Sequence, residues 1–194
     1  TIVLFDMDGT LTPARKPAEN FLKDHLIRLS KVSEIGILTG SDLDYLLQQC
    51  QNLWNDHDGC MPDNITLMPC NGTKVYKFDK EKDDWSLISE NNMRSHLGSE
   101  SLDGLMKILI AAQYAHISKD PKHPLTGHFV CYRGSMINWS PVGRNANNEQ
   151  RKKFVDYDLE TGCRVRLMAG VEALTKRTIK PEITFALGGN TSVD

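Results

Sequence analysis

An uninterrupted apolar run, Ile2-Val3-Leu4-Phe5, opens the chain and passes directly into a polar string, Asp6-Met7-Asp8-Gly9-Thr10-Leu11-Thr12. A short run rich in branched and aromatic residues predicts a strand buried on both faces, as in a parallel sheet. Between 18 and 29 the apolar residues Phe21, Leu22, Leu26 and Leu29 form a helical stripe, with Ile27 beside them and charges opposite. Ile35-Gly36-Ile37-Leu38 repeats the buried-strand pattern. It ends in Thr39-Gly40-Ser41-Asp42, where Ser41 or Asp42 can cap a helix through Leu43, Leu46 and Leu47. This alternation of strand and helix predicts a parallel sheet with right-handed crossovers. Residues 51–64 are polar and read as loop. Ile65 to Met68 is a third strand, and Asn71-Gly72 turns it into the alternating run 74–78.

The pattern changes after residue 79. A charged run at 79–84 has no apolar anchor and places a domain boundary there, dividing 1–79 from 80–194. Trp85 to Ile88 is a short strand. Residues 91–117 read as largely helical, with Leu102, Leu105, Met106, Leu109 and Ile110 as the stripe. Prolines at 121 and 124 break it, and His123 between them reads as part of a solvated loop. Phe129 to Trp139 alternates around Gly134-Ser135 and reads as a hairpin. Asn147 or Asn148 caps a helix over 149–155, and another helix spans 164–176. A last hairpin pairs 183–187 with 191–193 around Gly188-Gly189-Asn190. Hairpins with grouped helices make this half an α+β domain with an antiparallel sheet. The fold class is therefore α/β: a Rossmann-like parallel-sheet core followed by an α+β antiparallel-sheet cap.

Composition narrows the functional classes. In 194 residues, 40% apolar and 25% charged content is that of a globular protein. A net charge of -2 leaves no electrostatic footprint for nucleic acid or an anionic membrane, so neither is an expected partner. No apolar stretch approaches the ~20 residues of a membrane span. The chain starts in a strand without a signal pattern, and the five scattered cysteines show no C-x-x-C spacing. Free thiols and a cytoplasmic setting are the expectation.

The chemistry concentrates at strand ends. Ligands of open α/β sheets bind beyond the carboxyl ends of the strands, where Asp6 and Asp8 stand. Two carboxylates so close repel each other, and a divalent cation such as Mg2+ relieves this through hard oxygen ligands. Thr39 also ends a strand; it fits either a phosphate contact or an ordinary turn feeding a capped helix. In the second half Arg133, Arg144 and Arg151 are either a phosphate-binding set or ordinary surface arginines.

Asp-x-Asp-Gly-Thr-Leu-Thr after a strand resembles the first motif of the haloacid dehalogenase superfamily of phosphotransferases. Residues 132–144, Tyr-Arg-Gly-Ser-Met-Ile-Asn-Trp-Ser-Pro-Val-Gly-Arg, with Arg151 seven residues later, resemble a segment of the eukaryotic-type phosphomannomutases. The opening motif running on to Arg15, Gly40-Ser41-Asp42, Asn71-Gly72-Thr73 and the tail 188–194 resemble the same family. The resemblance implies an isomerase that interconverts mannose 6-phosphate and mannose 1-phosphate, primed by a hexose 1,6-bisphosphate. Asp6 would be the nucleophile and Asp8 the general acid and base, with both binding Mg2+. Thr39 and Ser41 would contact the transferring phosphate. Arg133, Arg144, Arg151, Ser192 and Asp194 would hold the distal phosphate and sugar, and Arg15 would lie between core and cap. Family members are typically cytosolic homodimers joined through their caps.

Two departures stand out. Gly134 occupies a position where the family pattern has Asn. The family's Trp-Asp-Lys and Gly-Asp…Gly-Asn-Asp segments, which supply a lysine and further metal carboxylates, have no counterpart before Asp194, so a C-terminal part is expected beyond it. The competing expectations are a capped sugar-phosphate phosphatase and a non-catalytic sugar-phosphate binder.

Overall fold

The computed structural model describes residues 1–13, 16–54, 62–119, 121–179 and 183–194. Two compact units divide between Asn91 and Asn92. In the first, β1 (Ile2–Asp6), β2 (Glu34–Leu38) and β3 (Ile65–Met68) run parallel, and β4 (Lys74–Asp79) and β5 (Asp84–Glu90) continue the sheet antiparallel in the order β1-β2-β3-β4-β5. Ile35 pairs with Val3 on one side and Ile65 on the other; Ile37 does the same with Phe5 and Leu67. These odd-numbered rows form one face. They pack with Leu26 of α1 (Phe21–Ser30) and with Leu46 and Cys50 of α2 (Leu43–Cys50). Each fully buried aliphatic side chain contributes ~1.5–3 kcal/mol. An exposed ion pair such as Lys77–Glu34, at 3.4 Å, is worth ~0–1 kcal/mol. Apolar burial, not surface charge, holds the helices on the sheet.

Three expectations for this unit need correction. β1 is not buried on both faces: Leu4 is 55% exposed and Ile2 is exposed too. Among the described residues β1 pairs with β2 alone, and no described element covers its even-numbered face. Phe21 does not join the buried stripe of α1; it is exposed and meets His25 edge-on. The charged run 79–84 is not a linker. It is the turn of the β4–β5 hairpin, in which Asp79 accepts hydrogen bonds from the Glu81 and Lys82 amides and the Ser86 hydroxyl and pairs with Lys82. Trp85 returns to the first unit, packing edge-on against Trp54 and Phe78. An anchor one residue past the hairpin turn therefore kept the strand in the sheet.

In the second unit β6 (Val130–Tyr132), β7 (Ile137–Trp139), β8 (Leu187–Gly188) and β9 (Ser192–Val193) form an antiparallel sheet in the order β6-β7-β9-β8. Both expected hairpins are present. The long helix is two, α3 (Met93–Leu97) and α4 (Ser99–Ile117), because Gly98 adopts φ +79°, a conformation that no helix interior takes. α5 (Asn148–Thr161) begins with a complete capping box between Asn147 and Gln150, and α6 (Cys163–Thr178) follows across Gly162. Leu102, Leu105 and Leu109 of α4 meet Val171 of α6, Trp139 and Val193 in the core. Trp139 donates its indole N–H to Gln113 Oε1 at 2.7 Å, and the Gln113 amide donates to the Pro141 carbonyl at 3.1 Å.

His123 is not part of a solvated loop. It is 8% exposed, stacked on His116, and its Nε2 lies 2.8 Å from His116 Nε2. His123 Nδ1 is 2.9 Å from the Pro124 carbonyl, which can only accept, so that nitrogen carries the proton. In the neutral pair His116 Nε2–H therefore donates to His123, leaving His116 Nδ1 toward the Cys163 thiol at 4.0 Å. Phe154 and Tyr157 of α5 complete the surroundings of His123. Burial, then the His123, Lys119 and Arg166 charges, push the His116 pKa down to about 4, and burial also lowers that of His123. Proline spacing signalled a chain break but not that the break folds back under α5.

Because the folded state favours the neutral imidazoles, their stabilisation is complete above the ordinary value near 6.5 and is lost as pH falls toward about 4. The urea midpoint of the second unit should fall over that window, and the fall should be blunted in a His116→Leu/His123→Leu double variant. An equal slope in both proteins would show that other groups control the acid transition.

Candidate active site

Each unit carries one half of the expected functional residues. In the first, Asp6 is the last residue of β1 and lies in register with Leu38, the residue before Thr39. Parallel pairing thus brings Asp6 and Thr39 to the same sheet end, Thr39 one residue beyond the partner of Asp6 on the adjacent strand. After Asp6 the chain curls tightly. The Thr10, Leu11 and Thr12 amides and the Thr12 hydroxyl all point to the Met7 carbonyl, and the Gly9 amide donates to Thr12 O at 2.7 Å. Met7 and Leu11 are buried while Asp6 and Asp8 are exposed, so the curl buries its apolar members and presents its carboxylates. Gly9 has φ +88°, which a side-chain-bearing residue rarely adopts. Thr12 also meets Gln49 Oε1 of α2 at 3.0 Å, tying the curl to the helix layer.

Thr39 is buried, and its hydroxyl accepts the Ser41 amide at 3.1 Å. Asp42, not Ser41, caps α2 through the Tyr45 amide. The β3–β4 turn packs onto the same strand end: Asn71 N donates to Thr39 O, and Cys70 N to Ser41 O, both at 2.8 Å. Cys50 behind this loop has its thiol pushed up to about 12, first by burial and then by the Asp8 charge. It is an inert core thiol. Among the described residues no group of three or more His, Cys, Asp and Glu side chains is arranged to hold a metal. Two aspartates nevertheless suit Mg2+, which commonly takes one or two carboxylates and completes its shell with water and substrate phosphate.

In the second unit polar side chains of neighbouring strands meet on one face. Asn138, in the middle of β7, donates to Asp194 Oδ1 at 2.6 Å and accepts from Arg144 Nη1 at 2.9 Å. Asp194 is held by a pair of backbone hydrogen bonds with Ala186, 2.8 Å and 2.9 Å long. Ser192, two residues earlier on β9, donates its hydroxyl to Gly188 O at 2.7 Å. Arg133 lies at the tip of the β6–β7 hairpin and Arg151 in the first turn of α5. Gly134 has φ +82°, a left-handed turn conformation that Asn also tolerates, so the exchange of Asn for Gly preserves the turn. Arg15 lies outside the described residues.

Asn138 and Gly188 escaped the sequence reading. A fully buried strand reading Ile-Asn-Trp was the signal for the first, since a buried amide needs partners. A Cβ on Gly188 would stand 2.4 Å from Asp194 Oδ2 and 2.7 Å from Ser192 Oγ, which only the folded hairpin reveals.

The sequence profile described as eukaryotic phosphomannomutase matches residues 22–194. A phosphomannomutase of Arabidopsis thaliana is 34% identical over the whole of this chain, which spans 71% of that protein. The one from Saccharomyces cerevisiae is 35% identical, with 69% of its length covered. The chain belongs to the eukaryotic phosphomannomutase family. Among solved structures, the Plasmodium falciparum IMP-nucleotidase superposes with a TM-score of 0.65 at 17% identity, over 100% of this chain and 47% of that one. At that identity the likeness is one of fold alone. The phosphomannomutase relatives, by contrast, match in sequence from end to end of the chain.

Gly188→Ala should displace the Asp194 carboxylate, a side-chain end rather than backbone, more than it disturbs the fold. Titration with mannose 1-phosphate should show affinity reduced about tenfold with a melting temperature within a few degrees of wild type. Asn138→Ala should weaken binding as well, since it unties Arg144 from Asp194. Unchanged affinity in both variants would remove this face from the binding site.

Proposed function

We propose that this chain is a phosphomannomutase that interconverts mannose 6-phosphate and mannose 1-phosphate. The observation that supports the reading is the parallel pairing of β1 with β2, which brings the presented carboxylate of Asp6 and the buried Thr39 to one sheet end. An Asp6 oxygen attacks phosphorus, and the bond from phosphorus to the sugar oxygen breaks as Asp8 gives that oxygen a proton. In the return step Asp8 takes the proton of the accepting hydroxyl, and the phosphoryl group leaves Asp6. A hexose 1,6-bisphosphate supplies the first phosphoryl group and leaves as a monophosphate. Mg2+ held by Asp6 and Asp8 would neutralise phosphate charge during transfer. Thr39 and Ser41 line the same strand end. Arg133, Arg144, Arg151, Ser192 and Asp194 recognise the sugar phosphate. Arg is suited to that task because its planar fork makes paired, charge-assisted hydrogen bonds to phosphate oxygens.

A homodimer joined through the cap belongs to the same proposal. Exposed Ile110 and Tyr114, one turn apart on α4, support it by offering an apolar face. So does a cytoplasmic setting, which cell fractionation tests.

Asp6→Asn should lower turnover by at least about a thousandfold while sparing mannose 1-phosphate binding. With catalytic hexose 1,6-bisphosphate, the wild type should exchange the two isomers without releasing inorganic phosphate. Net phosphate release with no isomer formed would assign the chain to the phosphatases instead. Tyr114→Glu should shift sedimentation at micromolar concentration from dimer to monomer; a monomeric wild type would remove the dimer from the proposal.

A further inference from the structure

The hairpin that carries Ser192 and Asp194 is closed on itself by the Ala186–Asp194 hydrogen bonds but is only narrowly joined to the rest of the sheet. β8 and β9 are two residues long each, and β9 reaches β7 through one registered pair, Trp139 with Val193. A two-residue strand does not by itself hold a carboxylate to the tolerance that ligand recognition needs. A side chain from a different element takes up the task. Arg164, in the first turn of α6, donates from Nη1 to the Gly189 carbonyl at 2.9 Å and to the Ser192 carbonyl at 3.2 Å, gripping the turn on both sides.

Arg164 is itself held in place by Asp158 of α5. Asp158 Oδ2 accepts Arg164 Nε at 2.8 Å, and Oδ1 accepts the Arg164 backbone amide at 2.7 Å. That amide is one of the unpaired donors at the start of α6, so the same carboxylate caps the helix and orients the guanidinium. Gly162 makes the geometry possible. Its φ of +61° reverses the chain between α5 and α6, bringing residues 158 and 164 together. Both side chains are 12% exposed. They are thus shielded from water, unlike the exposed i,i+4 pairs Lys152–Asp156 and Lys176–Glu172, which contribute little.

We propose that Asp158 and Arg164 are positioning residues for sugar-phosphate recognition: a clamp that sets the β8–β9 hairpin so that Ser192 and Asp194 meet Asn138 and Arg144 in register. The inference rests on the mutase reading for the identity of the ligand, not for the geometry. Neither residue touches the Asn138–Asp194 hydrogen bond; the clamp acts through the backbone between them. α6 does not need the clamp for its own packing, since Cys163, Val171 and Thr175 are buried in the cores of the unit.

Arg164→Lys tests the clamp, because an ammonium keeps the charge but lacks the fork that engages Asp158 through Nε while Nη1 reaches both carbonyls. The variant should bind mannose 1-phosphate about tenfold more weakly by calorimetry, and its KM should rise by a similar factor with kcat within about threefold. Asp158→Asn should reproduce the shift. Magnesium-dependent phosphorylation of Asp6 by acetyl phosphate, a donor without a sugar, should be unchanged in both. If the clamp acts through the hairpin, Arg164→Lys combined with Asp194→Asn should cost less than the product of the two separate losses. Normal affinity in Arg164→Lys, multiplicative losses in the double variant, or a parallel loss of acetyl phosphate reactivity would overturn the proposal. Wild-type binding without isomerisation would overturn the mutase reading while leaving the clamp legible in the dissociation constants; no binding at all would overturn both.

Discussion

Parallel pairing of β1 with β2 is the constraint on which the core depends. Two strands of a parallel ladder share a direction, so their carboxyl ends lie on the same side. Register then decides which residues meet there. A slip of one residue would turn Val3 and Phe5 away from the helix layer and move Asp6 off its partner Leu38. The apolar rows through Ile35 and Ile37 make that slip costly, so the packing of α1 and α2 and the placement of the carboxylate are one problem. The tight curl after Asp6, closed on the Met7 carbonyl and braced by Gln49, carries the same register forward to Asp8.

The cap solves a different problem. Its strands are short, and the face they present is polar at Asn138, Ser192 and Asp194. A polar side chain in a buried strand costs ~1–3 kcal/mol if left without partners. Here the partners come from separate segments: Arg144 from the loop after β7, Asp194 from the residue after β9, and behind the hairpin Arg164 and Asp158 from the helices. Each hydrogen bond satisfies a buried group and also fixes a neighbour's orientation. The His116–His123 pair does the same on the far side of α5, where the 121–124 segment tucks under Phe154 and Tyr157.

Local regularities in the chain were legible wherever one residue type had one physical consequence. Period-2 and period-3.6 patterns located all three parallel strands, both cap hairpins and the helices α1, α2 and α6 to within a few residues, whereas α5 runs on to Thr161 and the 91–117 stretch divides at Gly98. Asn147 announced the start of α5 because a short amide side chain satisfies helical N–H groups that other residues cannot. The failures share a cause. Residues 79–84 read as a linker because charge suggests solvent, yet a hairpin turn is solvated too, and the tryptophan that follows decided the matter. His123 read as solvated because it sits between prolines, and its stacking partner is seven residues away on another element.

The sequence by itself determined the order of elements, the strand-end placement of Asp6, Asp8 and Thr39, and the family whose arginine segment the cap carries. These follow from properties that each residue expresses locally: side-chain periodicity, capping, and short motifs at strand ends. Only the tertiary structure decided where one unit stops and the next begins, and how Asn138, Gly188 and the Asp158–Arg164 pair support Arg144, Ser192 and Asp194. Those outcomes depend on distances between segments many residues apart, such as Asn138 to Asp194 and Arg164 to Ser192. Such distances are set when the hydrophobic faces pack, and no local pattern encodes them.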